Sequence, residues 1–212
     1  MARNLTPEKA LIFRITHRDN VPWILDHGLH CRNGNISDPR YVSIGNPDLI
    51  DSRARRTVPI PPGGTLSDYI AFYFTPFSPM LLNIKTGRSV RKRNNEEIVI
   101  LVSSLILLKG RSIRFVFTDR HAYLELARFF GDLENLHEID WPRLQARDFK
   151  RNPEDPAAFE RYQAEALIYR RLPIDCLKGI VCYDEATAAS VKGHMKQRGL
   201  EPNVLAKPGW YF

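Results

Sequence analysis

Residues 96–106 read EEIVILVSSLI, and this stretch decides the fold. After its two glutamates it is a continuous apolar run, which is typical of a central strand covered on both faces. Further strands are predicted where β-favouring residues cluster, at residues 10–16 (ALIFRIT), 68–74 (DYIAFYF), 112–119 (SIRFVFTD), 179–184 (GIVCYD) and 203–212 (NVLAKPGWYF). These strands outnumber the predicted helices and do not alternate regularly with them. The order therefore predicts an α+β fold on a mixed sheet rather than a doubly wound one.

Helix signals stand between these strands. Asp19 or Asn20 can cap a helix that begins at Val21 and that Gly28 ends. Short helices are predicted after Asn46, after Ser78 and over residues 185–200, and the strongest helical pattern is HAYLELARFFGDLENL at residues 121–136. Residues 139–157 are expected to be irregular. The segment FERYQAEALIYRRLP, residues 159–173, fits a helix or a strand equally well.

Composition and charge limit the classes of function. A chain of 212 residues suggests one domain, and 31 Lys+Arg against 24 Asp+Glu give a formal charge of +7, which is compatible with an anionic partner. The first residues show no secretory-signal pattern, so export by that route is not expected, and the longest apolar run is too short to span a bilayer. Its three cysteines form no CxxC pair, so a disulfide framework or a zinc site is not indicated. We therefore expect a cytoplasmic protein without a membrane segment.

Common catalytic motifs are missing, but four polar residues stand beside apolar segments. The sequence has no phosphate-binding loop, no dinucleotide-binding glycine triplet and no HExxH. His17 follows the first strand, Tyr73 lies in the aromatic strand and Glu165 sits between alanines. A carboxylate in an apolar strand loses hydration unless it is paired or has a task, whereas on a helix surface it would be unremarkable. Arg53 belongs to a charged loop that can equally be solvated surface.

Taken together, several blocks of sequence resemble the DarT family of DNA ADP-ribosyltransferases, which are toxins of bacterial toxin–antitoxin pairs. The blocks are ALIFRITHRDNVPWILDHGLHC, IGNPDLIDSR, GGTLSDYIAFYFTPFSPML, NEEIVILVSS, FVFTDRHAY, IDWPRLQARDF, FERYQAEALI and the terminal GWYF. They span essentially the whole chain. Ser67 departs from the family pattern, in which a histidine is expected at this position.

The resemblance implies an ADP-ribosyltransferase fold, with a mixed split sheet that clamps NAD, in a single domain over residues 1–212. It implies transfer of ADP-ribose from NAD, the co-substrate, to a ring nitrogen of thymine in single-stranded DNA, with release of nicotinamide and without a metal. A DarG-like macrodomain antitoxin is the expected partner, and the chain is expected to be a monomer. The residues alone leave two alternatives open: the same fold acting on RNA or protein, and a catalytically silent module that binds nucleic acid.

The resemblance also assigns site residues. The catalytic glutamate of QAEALI is Glu165, the catalytic arginine after IGNP falls on Arg53, and His121 in TDRHAY matches a position near the active site. Arg55 and Arg56 stand so close that the choice of arginine stays open. The expected NAD-binding residues, in and around a loop region at about residues 31–64, are Thr16, His17, Asn20, Gly28, Arg53 and Tyr73.

Elementary chemistry gives these residues roles. Breaking the bond from nicotinamide to ribose places positive charge on the sugar, which a carboxylate at Glu165 would stabilise. The thymine nitrogen must also lose a proton. Arg53 is a poor base because arginine keeps its proton at any ordinary pH, so His121 or Glu165 is the more economical acceptor. The choice among Arg53, His121 and Glu165 stays open at this point.

DNA binding is predicted from basic runs beside aromatic residues, because single strands bind in basic grooves with rings on which bases stack. Trp141 and Phe149 flank one such run, so an acceptor-binding loop is expected at about residues 121–159. Each of the two basic runs, at residues 85–93 and 143–151, can also be plain solvated surface. The predicted DNA contacts are Arg91, Arg93, Arg143, Arg147, Lys150 and Arg151.

Overall fold

Ten strands form two sheets in the computed structural model, which describes residues 5–150, 152–201 and 203–212. They are β1 (Leu11–His17), β2 (Leu29–His30), β3 (Tyr69–Tyr73), β4 (Ile98–Ser104), β5 (Phe115–Thr118), β6 (Phe129–Phe130), β7 (Glu165–Tyr169), β8 (Arg171–Leu172), β9 (Gly179–Cys182) and β10 (Val204–Ala206). The large sheet has the order β10-β9-β4-β1-β3-β7-β5-β6, and β2 pairs with β8. Because β9 and β10 are parallel and the other pairs are antiparallel, the sheet is mixed, as predicted.

Seven helices flank the sheets in the same described residues. They are α1 (Val21–His27), α2 (Pro47–Arg53), α3 (Pro79–Thr86), α4 (Leu105–Gly110), α5 (Trp141–Ala146), α6 (Ala158–Arg161) and α7 (Glu185–Lys196). The caps predicted at Asn46 and Ser78 are confirmed, because their side chains accept hydrogen bonds from the backbone N–H groups of Leu49 and Leu81. Asn20 stands at the N-cap position of α1, but its side chain makes no capping hydrogen bond. Gly28 ends α1 at a φ of 79°. None of the helices in the described ranges is long and apolar enough to cross a membrane.

The centre of the large sheet is β4, in which every residue from Ile98 to Ser104 is buried. It pairs with β1 along the whole length of both strands. On its other side β1 meets β3 where Phe13 lies opposite Tyr73, and the Arg14 guanidinium bridges the two strands with a 2.7 Å hydrogen bond to the carbonyl of Ala71. The sheet therefore opens between β1 and β3, which fits the expected split sheet.

The half of the sheet beyond this opening has two differently covered faces. One face carries Phe72, Phe74 and Phe117 into the main apolar core. The other carries Tyr69, Val116 and Leu167, which pack with Val58 and Leu66 of the long segment between β2 and β3 in a smaller apolar cluster. Glu165 also lies on this second face. It stands opposite Tyr73 in the pairing of β3 with β7, and Tyr73 shares a face of β3 with Tyr69.

The predicted helix over residues 121–136 was wrong. The segment forms turns up to β6, and then a 3₁₀ helix over Leu133–Glu138. Tertiary hydrogen bonds override the helical pattern: the backbone N–H of Ala122 donates to Glu165, that of Arg128 donates to the Asp119 carboxylate, and β6 pairs with β5. Of the residues that set the helical spacing, Tyr123, Leu124, Ala127, Phe130 and Leu133, only Ala127 is buried.

Three other segments refine the expectations. Residues 159–173, which fitted a helix or a strand, contain the end of α6 and then β7, so Glu165 lies on a strand. Helix α5 lies in the segment that was expected to be irregular. At the carboxyl end β10 covers only part of the predicted strand, and a 3₁₀ turn over Pro208–Trp210 follows it.

Candidate active site

Glu165 is the first residue of β7, and its side chain is held in the interior. The residue is 1% exposed and faces Tyr73 of β3 across the ladder. On the β5 side, its backbone N–H donates to the Thr118 hydroxyl over 3.3 Å. Hydrogen bonds on both sides of the strand therefore fix the backbone that carries this carboxylate.

Three groups surround the Glu165 carboxylate. Oε1 accepts hydrogen bonds from the Ala122 backbone N–H at 3.0 Å and from Arg53 Nη1 at 3.1 Å. Arg53 Nη2 lies 2.9 Å from Oε2 in an ion-pair contact. His121 completes the group, with Nε2 3.7 Å from Oε1. The carboxylate thus faces one cation and one imidazole in a buried position.

Arg53 reaches this position because it is the last residue of α2. Asn46 caps the other end of this helix, with Pro47 at its first position. Of the neighbouring arginines, Arg55 is exposed, whereas Arg56 Nη2 donates to the backbone carbonyl of Leu124 at 2.9 Å. Arg53 is therefore the member of the arginine cluster that contacts Glu165.

His121 follows a turn that a second buried carboxylate holds. Asp119 is 1% exposed and forms ion pairs with Arg120 at 3.3 Å and with Arg128 at 3.0 Å. The Thr118 hydroxyl donates to the carbonyl of Arg120. Sequence reasoning missed Thr118, Asp119 and Ala122, although the polar TD pair after an apolar strand was a usable signal.

The electrostatics of the group favour an ionised carboxylate beside a neutral imidazole. Burial by itself would raise the pKa of Glu165, but the charge of Arg53, with His121 and the hydrogen bonds from Arg53 and Ala122, brings it below its usual value. Burial alone would lower the pKa of Arg53, but the charge of Glu165 and its hydrogen bond raise this pKa above its usual value. Burial lowers the pKa of His121 and outweighs the attraction of Glu165. At neutral pH His121 is therefore uncharged, and its Nδ1 accepts a hydrogen bond from the Tyr123 backbone N–H at 3.3 Å.

Tyr73 lies beside the same carboxylate. Burial and the neighbouring Glu165 charge raise the pKa of its hydroxyl, so this group stays protonated. The residue also stands at the point where β1 and β3 meet. Its ring is therefore at the opening of the split sheet.

Thr16, His17 and Asn20 lie at the end of β1 on the other side of that opening, where they form two separate sets of hydrogen bonds. Asn20 Nδ2 donates to the Thr16 hydroxyl and to the carbonyl of Val42, each at 3.0 Å, while its Oδ1 accepts from the Val42 N–H at 2.8 Å. His17 Nδ1 accepts from the Asp19 N–H at 3.2 Å, and its Nε2 lies 3.5 Å from Glu97. Asn20 thus ties the predicted NAD-binding loop region to the end of β1.

Gly28 has a structural reason to be glycine. Its φ is 79°, and a Cβ at this position would lie 2.6 Å from the carbonyl oxygen of Leu172. The residue therefore permits the close approach of the end of α1 to β8. A contact with NAD stays a prediction.

The predicted DNA-contacting side chains differ in whether they are exposed or already bound by other residues of the protein. Arg93 forms a 2.9 Å ion pair with Glu97, and Arg143 contacts Asp140, Asp148 and Asp155, so both are engaged within the fold. Arg91, Arg147 and Lys150 are exposed, and Arg147 stacks on the ring of Phe77 at 3.4 Å. Arg151 lies outside the described residues.

Metal and thiol chemistry find no support at this site. The described residues contain no group of three or more histidine, cysteine or acidic side chains that could hold a metal ion. Cys31, Cys176 and Cys182 are buried as free thiols, and burial raises the pKa of each. Thiolate nucleophiles are therefore disfavoured.

Comparisons with known proteins agree with one another. The family described as "ssDNA thymidine ADP-ribosyltransferase, DarT" matches residues 13–212. A DNA ADP-ribosyl transferase of Escherichia coli O127:H6 is 54% identical over 99% of this chain and 96% of its own length. A solved structure of Thermus sp. 2.9 DarT with ADP-ribosylated ssDNA is 38% identical, with a TM-score of 0.89 over 97% of this chain and 98% of that one. The same Thermus protein with NAD+ superposes with a TM-score of 0.86, covering 97% of this chain and 99% of that one.

Proposed function

Because this chain belongs to the DarT family of ssDNA thymidine ADP-ribosyltransferases, we propose that Glu165, Arg53 and His121 carry out its transfer reaction. The chain is an NAD-dependent enzyme that ADP-ribosylates thymidine in single-stranded DNA. The observation that carries the residue assignment is the buried contact of Arg53 and His121 with the Glu165 carboxylate.

Glu165 is the group that stabilises the transition state. Its pKa lies below the usual value, so it is a carboxylate at neutral pH, and β3 and β5 hold its strand in place. A fixed negative charge beside the ribose favours the positive charge that develops when the nicotinamide bond breaks. Accepting a hydrogen bond from a ribose hydroxyl would orient the sugar in the same step.

NAD donates the ADP-ribosyl group, and nicotinamide is released as the second product. The residues at the split of the sheet fit such a ligand, because Arg14 Nε is a buried donor that lacks a hydrogen-bond partner among the described residues, and an anionic ligand can use such a donor. We assign Tyr73 to the nicotinamide ring and His17 to the adenosine ribose. Thr16 and Asn20 then act by shaping this side of the cleft.

His121 is the best proton acceptor of the three candidates. Arg53 has a raised pKa and Glu165 a lowered one, so the first cannot accept a proton and the second accepts it poorly. His121 is neutral. It takes the proton from the thymine nitrogen as that nitrogen bonds to the ribose carbon, and nicotinamide leaves with the electron pair of the broken bond. Arg53 balances the charge of Glu165 and of the deprotonated base.

The acceptor strand lies along the segment of residues 121–159. Tyr123 and Leu126 are exposed next to His121, and Arg147 and Lys150 offer exposed charge further along. Bases that stack on exposed rings and phosphates that meet exposed cations suit a single strand.

The biological role rests on the family resemblance. We propose that the chain is a toxin that acts on cytoplasmic DNA as a monomer and that a DarG-like macrodomain antitoxin opposes it. Co-expression with and without such an antitoxin tests this role, because the toxin alone should stop growth and the pair should not.

Mass spectrometry of oligonucleotides tests the reaction. Incubation of the enzyme and NAD with a single-stranded oligonucleotide that contains one thymine should add the mass of one ADP-ribose, and a thymine-free oligonucleotide should stay unchanged. Glu165→Ala should abolish the adduct, whereas Glu134→Gln, which changes an exposed glutamate, should not. RNA and protein added as competing acceptors should leave the DNA product unchanged. An active Glu165→Ala enzyme would exclude the proposed mechanism.

A further inference from the structure

Arg56 joins the two loop regions that meet at the active site. Its Nη2 donates to the backbone carbonyl of Leu124 at 2.9 Å and approaches that of Glu125 at 3.4 Å. The guanidinium also lies 6.0 Å from the centre of the Phe129 ring. The contact with Leu124 crosses 68 positions of sequence, from the segment after α2 to the turn after His121.

The backbone of Arg56 is itself anchored. Its carbonyl accepts from the Leu66 N–H at 2.9 Å, and its N–H donates to the carbonyl of Arg53 at 3.2 Å. Thr57 then pairs with Thr65. The side chain therefore extends from a fixed base, and the turn at residues 121–127 is the partner that it restrains.

The contact gives the turn a hydrogen-bond donor for its carbonyls, but it leaves one donor of the arginine without a partner among the residues that the structure describes. Arg56 Nε is buried and has no hydrogen-bond partner within the described ranges. A buried donor without a partner costs about 1–3 kcal/mol, so such an arrangement calls for an explanation beyond the packing of the arginine. Holding the turn in place supplies that explanation.

The restrained turn bears directly on the reaction. It carries the Ala122 N–H that binds Glu165 and the His121 imidazole at one end, and the exposed Tyr123 and Leu126 side chains in its middle. Leu124 and Glu125, whose carbonyls Arg56 contacts, stand between these two exposed side chains in the sequence. Fixing them fixes the surface that the acceptor base meets.

We infer that Arg56 is a positioning residue for the DNA acceptor, which holds the turn at residues 121–127 in the shape that receives the thymine strand. The inference rests on the proposed placement of the acceptor at this turn. Two arginines of one short segment then have different roles: Arg53 contacts the Glu165 carboxylate, and Arg56 contacts the acceptor turn.

Steady-state kinetics with a varied concentration of thymine-containing oligonucleotide test the inference. Arg56→Met keeps a long apolar stem beside Phe129 and removes the donors. We expect its kcat/KM for the oligonucleotide to fall about tenfold, as the loss of one charged hydrogen bond to a part-buried carbonyl implies, while the dissociation constant for NAD changes by less than about twofold. Arg56→Lys should recover part of the loss because its ammonium can still donate to Leu124.

Arg55→Met is the matched control, since Arg55 is the exposed neighbour. It should keep both constants within about twofold of wild type. Equal loss of NAD binding and DNA transfer in Arg56→Met would assign Arg56 to the fold or to the NAD site, and an unchanged kcat/KM would assign it no role; either result overturns the inference. A wild-type enzyme that forms no DNA adduct would instead refute the proposed function.

Discussion

Replacing Arg53 and Glu165 one at a time and then together separates their contributions to stability from their contributions to catalysis. The two side chains are 15% and 2% exposed, and their charged atoms lie 2.9–3.1 Å apart. At an effective dielectric constant of about 20, unit charges about 3 Å apart attract by roughly 5–6 kcal/mol, and loss of hydration offsets much of this. Removing one partner leaves the other buried charge without its counter-ion.

We expect Glu165→Gln and Arg53→Met each to lower the free energy of unfolding by about 3 kcal/mol, at the low end of the range for breaking a buried pair. The cost stays low because the Ala122 N–H and His121 still contact position 165. The double variant should be about 3 kcal/mol more stable than the sum of the two losses implies, since neutral side chains then face each other.

Urea unfolding followed by tryptophan fluorescence measures these free energies, and adduct formation measures activity in the same samples. Glu165→Gln should lower the rate of transfer by about 10²–10³, and the double variant should stay inactive although it is no less stable than either single variant. Stability losses that add to within about 0.5 kcal/mol would show that the two side chains do not interact, and would refute the pairing on which the proposed mechanism rests.

The other predictions concern the base, the loop and the DNA contacts. Because the pKa of His121 lies below its ordinary 6.5, the transfer rate should stay level as pH falls from about 8 to about 6.5 and should drop only below that, as the imidazole takes up a proton. A rate assay at constant ionic strength measures this profile. A drop that begins above pH 6.5, or an identical profile in His121→Gln, would contradict the prediction. Asn20→Ala removes three hydrogen bonds, one buried and two part-buried, and should cost about 2–3 kcal/mol of stability and raise the KM for NAD. Urea unfolding and NAD titration check it, and an unchanged stability would argue against the tie to Val42. Lys150→Gln should lower the slope of log affinity against log salt for a single strand by about 0.7 if Lys150 contacts one phosphate; an unchanged slope would leave Lys150 as solvated surface.

Much of the fold follows from short-range signals in the sequence. The apolar run at β4, the Asn46 and Ser78 caps and the glycine that ends α1 are decided by residues within a few positions of each other. Such local signals predict elements well because the physical cause lies inside the element.

The rest depends on contacts between distant parts of the chain. Residues 121–136 have a helical pattern, but hydrogen bonds to Glu165 and Asp119 and the pairing of β6 with β5 hold them as turns. The choice of Arg53 over Arg55 and Arg56 depends in the same way on where α2 ends above β7. The family resemblance supplied what local patterns lacked, and the register of Tyr73 against Glu165 gives it a physical basis.

The opening of the sheet between β1 and β3 has a consequence for the carboxylate. The ladder runs from β10 to β1 on one side of the opening and from β3 to β6 on the other, and the Phe13–Tyr73 pair and the Arg14 hydrogen bond join the two sides. Glu165 pairs with β3 and binds Thr118 of β5, so the hydrogen bonds that fix its backbone all lie on one side of the opening.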